Sequence, residues 1–193
     1  MSPSLARCVG AVAQLLDVCG PLEPVRLCMS DRDVQVEVCA SDPAASVSLA
    51  RLAAATDSEG AALPCDIGGV LTADLDEELV LVGALAPPVP GAVGARTTST
   101  SAAAGLLRTL APWTAALDQK LLQGAQLWVE DHGRGFTVRL LATAASSDDL
   151  ETVAAAAGAG LVRLRIQRTD SGLDGRGSLP CGRTVHLGVA PLS

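Results

Sequence analysis

The sequence predicts an α+β protein formed by internal duplication of an α-β-β-α-β(β) unit, with antiparallel sheets and helices packed on one face. Three observations carry that expectation. Apolar residues recur at helical spacing near the N-terminus, short segments alternate apolar and polar residues, and the same order of elements returns about 102 residues later.

The first element is an amphipathic helix. Ser2 is placed to cap it and Pro3 suits its first turn, after which Leu5, Cys8, Val9, Val12, Leu15, Leu16 and Cys19 follow one face until Gly20-Pro21. Val25 to Met29 reads as a short strand, Ser30 to Asp33 as a polar turn, and Val34 to Cys39 as a half-buried strand. Ser41 or Asp42 is expected to cap a second helix running to about Thr56.

The second unit begins with a helix from about Ser101, with Leu106, Leu110, Trp113, Leu117 and Leu121 on one face and a kink expected at Pro112. Gln126 to Glu130 is a strand, Asp131 to Gly135 a turn, and Phe136 to Leu141 alternates again. Asp148 and Glu151 have capping-box spacing for a helix that ends at Gly158-Ala159-Gly160. On this reading residues 5–56 lie on 107–158 without a gap. Leu63-Pro64-Cys65 and Leu179-Pro180-Cys181 form a further echo, each ahead of strand-like pieces: Val70-Leu71 and Leu79 to Val82, then Thr184 to Val189. Residues 1–84 and 101–193 are thus expected as two repeats, joined by a Pro-, Thr- and Ser-rich linker over 85–100.

Composition bounds the chemistry. The 193 residues include 33 Ala, one Phe, two Trp and no Tyr, so Val, Leu and Ala must fill the core. There is no Asn, and Lys120 is the single lysine. The net charge of −7 and the shortage of aromatics argue against nucleic acid as a partner. The charge is unevenly divided: residues 1–90 hold 13 acids against 4 bases, a net −9, whereas 91–193 hold 8 against 10, a net +2. No signal peptide and no membrane span are expected, which makes the cytoplasm the expected location. The six cysteines, Cys8, Cys19, Cys28, Cys39, Cys65 and Cys181, include no CxxC pair and no zinc spacing; Cys65 and Cys181 are expected to be reduced thiols.

Candidate chemical sites are few. Asp131-His132-Gly133-Arg134-Gly135, following Leu127 to Glu130, resembles the DxGxG box of the histidine-kinase-type (GHKL) ATPases. The resemblance covers about ten residues and implies an adenine-binding role for Asp131. That family also holds magnesium through an Asn on an upstream helix, so the absence of Asn leads us to expect a hairpin turn and no nucleotide cofactor. Cys181 and His186 lie five residues apart without the third group that a nucleophile–base pair needs. Asp74, Asp76, Glu77 and Glu78 lack calcium-loop spacing and are expected in a solvated turn. Arg163, Arg165 and Gln167 are expected on one strand face, opposite Val162, Leu164 and Ile166. His132 reads as solvated, and His186 as pointing off the apolar face of its strand. No catalytic, cofactor-binding or metal residue is assigned. The expected role is a non-catalytic regulatory, adaptor or chaperone-like module that binds another protein. The alternative is a ligand-binding protein or enzyme with its site between the halves.

Overall fold

A computed structural model describes residues 4–20, 22, 25–39, 44–56, 70–76, 79–86, 102–132 and 135–192. Among these residues, four helices and nine strands follow in the order α1 (Leu5–Cys19), β1 (Val25–Met29), β2 (Asp33–Cys39), α2 (Ala44–Ala55), β3 (Val70–Asp76), β4 (Leu79–Ala86), α3 (Ala102–Ala116), β5 (Gln126–Asp131), β6 (Phe136–Ala144), α4 (Leu150–Ala157), β7 (Val162–Thr169), β8 (Gly172–Ser178) and β9 (Thr184–Pro191). The strands form one mixed sheet in the order β3-β4-β2-β1-β5-β6-β9-β8-β7. The expectation of antiparallel sheets is therefore corrected. β2 pairs with β4, and β6 with β9, in parallel. A parallel neighbour requires a crossover, and α2 and α4 lie within the connections that supply it.

Alternation decides which side of β1, β2, β5 and β6 is buried. Val34, Val36 and Val38 on β2, Leu27 on β1, Val129 on β5 and Leu140 on β6 have no exposure, and they share one core with Leu16 of α1, Leu52 of α2, Leu107 of α3 and Val153 of α4. With almost no aromatics, close approach replaces bulk: Ala103 and Ala104 on α3, and Ala154 and Ala157 on α4, are buried as well. Trp113 supplies one large group. Its indole Nε1 donates a hydrogen bond to the Ala159 carbonyl at 2.9 Å, tying α3 to the end of α4.

Several local expectations change. The cap of α1 is Ser4, whose Oγ accepts from the Arg7 amide; Ser2 and Pro3 lie outside the described residues, as do Ser41 and Asp42. α3 continues through Pro112, which is exposed, so the carbonyl of Arg108 can turn to water. The cap of α4 is Asp149 and not Asp148. Its carboxylate is engaged by Ser146 Oγ at 2.7 Å, so the capping box does not form. Gly172 to Ser178 is a full strand, β8, absent from the sequence expectation. Its glycines explain both its fit and its concealment. A Cβ on Gly177 would sit 3.0 Å from Leu161 Cβ, and one on Gly172 would meet the Val189 carbonyl oxygen. The linker expected over 85–100 lies outside the described residues beyond Ala86.

Replacing Trp113 with Phe should keep most of the packing while leaving the Ala159 carbonyl without its donor. We expect a loss of about 1 kcal/mol in urea unfolding with an unchanged m-value; an unaltered midpoint would show that the α3–α4 tie does not matter.

Candidate functional site

The strand residues that alternate with the core set present a second, polar side of the sheet. At its centre Arg26 on β1 bridges two carboxylates: Nη1 donates to Glu37 Oε2 at 2.8 Å and Nη2 to Glu130 Oε1 at 3.0 Å. Arg26 faces Glu37 on β2 and Glu130 on β5 in the strand register, so this bridge spans the boundary between the two halves of the sequence. Both carboxylates support its charge, and its pKa is raised, chiefly by the hydrogen bond to Glu130. All three side chains are about one-third exposed, so the bridge orients more than it stabilises.

One step along the strands, a different chemistry crosses the sheet. Cys28 on β1 faces Trp128 on β5, Trp128 faces Arg139 on β6, Arg139 faces His186 on β9, His186 faces Arg176 on β8, and Arg176 faces Arg165 on β7. The last four line an open groove of about 570 Å3, together with Gln167 and Asp174. The His186 pKa is lowered, first by burial and then by the charges of Arg176 and Arg139. The imidazole is flanked in the register by these two guanidinium groups, Arg139 on one side and Arg176 on the other.

The residues singled out in the sequence are distributed differently. Cys181 is exposed in the β8–β9 turn, where Leu179 donates its amide to the Arg183 carbonyl at 2.8 Å; it does not line the His186 groove. Leu179-Pro180-Cys181 lies between β8 and β9, whereas Leu63-Pro64-Cys65 falls between α2 and β3, outside the described residues. The two segments therefore do not occupy matching places in the element order. Arg165 and Gln167 share the groove as expected, but Arg163 does not keep the alternation: its φ is +55° and a register shift separates Val162 from Arg165. Arg168 lies 4.0 Å from Glu151 of α4. Asp74 and Asp76 belong to β3, with a register shift between them, and not to a turn; Glu77 and Glu78 lie outside the described residues.

Asp131 ends β5 on the buried side, 6% exposed, and pairs with Phe136. The turn that follows is a hairpin closed by the His132 amide to the Gly135 carbonyl at 2.9 Å, with Gly133 and Arg134 outside the described residues. His132 Nε2 lies 2.9 Å from Thr137 Oγ1 and is therefore engaged and not simply solvated. Among the described residues no cluster of three His, Cys, Asp or Glu side chains could hold a metal ion, and no helix is long and apolar enough to cross a membrane. No family model matches the chain, and no match is found among curated proteins.

The thiols divide by environment. Burial raises Cys19 and Cys28 to about 11 and raises Cys39 as well, which suppresses their thiolates at neutral pH. Cys8 is buried and its Sγ lies 2.8 Å from the Ser30 carbonyl. Native alkylation at pH 7.5, read by peptide mass spectrometry, should modify Cys181 well before Cys8, Cys19, Cys28 or Cys39. Equal rates for Cys181 and Cys28 would contradict this division.

Proposed function

We propose that this chain is a non-catalytic, protein-binding module of regulatory, adaptor or chaperone-like type, working in the cytoplasm and binding through the polar side of its sheet. The observation that carries this reading is the contrast between the two sides of the strands. One set of side chains joins the helices in a single apolar core, whereas of the alternate set Gln35, Arg139, Thr143, Arg165 and Arg176 are exposed, Arg26, Glu37, Glu130 and His186 are half-buried, and Cys28 and Cys39 are buried. A broad, shallow surface suits an extended protein partner better than a small substrate, which needs an enclosing cleft.

The same reading includes the tandem organisation: repeats over 1–84 and 101–193, joined through 85–100, with helices covering one face. Support comes from strand order. β1, β2, β4 and β3 run outward from the seam on one side, and β5, β6, β9 and β8 on the other, each with one parallel pair at the second junction. β7 is then an added strand at one edge. The gapless superposition of 5–56 on 107–158 is not part of the proposal, because α1 and α3 begin at Leu5 and Ala102 whereas β2 and β6 begin at Asp33 and Phe136.

Site-specific photo-crosslinkers provide the test. Placed at Gln35 and Thr143 on the polar side, and at Arg51 and Glu151 on the helices, they should give protein adducts in the native host from the sheet positions and not from the helical ones. Adducts confined to the helical positions would refute the reading.

A further inference from the structure

We propose that the row formed by Arg139, His186, Arg176 and Arg165 is a docking site for an extended acidic segment of a partner protein, with carboxylates at alternating positions. This rests on the protein-binding reading above and gives it a partner chemistry.

The argument begins with cost. Like charges directly opposite one another on neighbouring strands repel, yet three guanidinium groups and an imidazole occupy consecutive cross-strand positions on β6, β9, β8 and β7. Among the described residues, none of Arg139, Arg165 and Arg176 forms a salt bridge with a carboxylate. Among the described residues that line the groove, Asp174 is the one acid. A chain of net charge −7 thus concentrates positive charge on a surface that does not neutralise it internally. An anionic occupant would relieve that repulsion.

Dimensions favour a peptide. Neighbouring strands are about 4.8 Å apart, so the row from β6 to β7 spans roughly 14 Å. An extended peptide rises about 3.4 Å per residue, and side chains on one face recur about every 6.8 Å. Three carboxylates at positions i, i+2 and i+4 therefore cover nearly the same length as the row. A long polyanion fits less well. Glu130 and Glu37 stand on the same side of the sheet beyond Arg139, next to Arg26, and would repel a continuing phosphate backbone. The row holds no Phe, Tyr or Trp; Trp128 adjoins its end.

His186 makes the site responsive to pH. Facing it are Arg139 from β6 and Arg176 from β8, and Asp174 of β8 with Arg165 and Gln167 of β7 line the same groove. Burial, and after it the charges of Arg176 and Arg139, hold its pKa below the ordinary value in the free protein. A bound carboxylate would oppose that shift, so binding takes up a proton and strengthens as pH falls from 8 to 6.

The test uses fluorescence anisotropy with the whole protein and two labelled hexapeptides of equal charge, one with Glu and Thr alternating and one with three Glu followed by three Thr. The alternating peptide should bind more tightly. The double variant Arg165→Gln/Arg176→Gln should weaken it about tenfold, which corresponds to about 1.4 kcal/mol, while Arg7→Gln/Arg51→Gln on the helices, with the same loss of charge, should leave it unchanged. His186→Gln should abolish the strengthening between pH 8 and pH 6. Equal weakening by the two double variants, equal affinity for the two peptides, or binding of an oligouridylate in place of the acidic peptide would overturn the proposal. The two readings fail separately. Crosslinks from Gln35 and Thr143 that persist in Arg165→Gln/Arg176→Gln would sink the acidic-segment site while sparing the protein-binding module.

Discussion

Antiparallel pairing of β1 with β5 is the interaction on which the rest of the structure depends. It is short, with four register pairs from Arg26–Glu130 to Met29–Leu127. Without it the nine strands would be two separate sheets, each with an open edge where β1 and β5 now meet. Leu27, Met29, Leu127 and Val129 at this seam are all fully buried, and each such side chain contributes roughly 1.5–3 kcal/mol on burial. The Arg26 bridge on the opposite side of the seam is partly exposed and contributes only about 0–1 kcal/mol per ion pair. Apolar burial therefore holds the seam and sets its register, and the ion pairs are compatible with that register. Above it α1 packs on α3, where Arg108 pairs with Asp17, so the helical layer is joined at the same place as the sheet.

The seam also aligns the polar side. Because side chains alternate strictly along a strand, fixing Leu27 against Val129 fixes Cys28 against Trp128 and Arg26 against Glu130. A single-residue slip would turn the Val34-Val36-Val38 set to solvent and bring Gln35 and Glu37 into the core. The arginine row of the second half is set in the same way by the registers of β6 with β9, β9 with β8 and β8 with β7, which also bury Leu140 and Leu187. Its position is inherited from packing, whereas its charge is not required by packing.

Much of the fold was legible because its strongest signals are periodic. α1 and β2 carried their apolar sets openly, and Val34, Val36 and Val38 lie in the core as their alternation implies. β8 was concealed because Gly175 and Gly177 stand at core-side positions where other strands carry Val or Leu, so alternation vanished from the sequence while close packing against Ile166 and Leu161 required the glycines. The parallel pairs β2–β4 and β6–β9 were equally hidden, since local sequence does not encode which non-adjacent strand becomes a neighbour. The candidate site was read one strand at a time. Arg165 and Gln167 were placed on one face, but the row exists only when β6, β9 and β8 bring Arg139, His186 and Arg176 beside them. A register shift near Arg163 removed that residue from the set.

Native-state hydrogen exchange on Leu27→Ala tests the dependence on the seam most directly. Removing a fully buried side chain of this kind costs about 2–5 kcal/mol. If both halves rely on one shared core, the slowest amides of β2 and of β6 should lose the same protection, equal to the loss in global stability. Loss of protection in β2 with β6 still at its original rate would show that the second half stands alone, and would contradict the shared core.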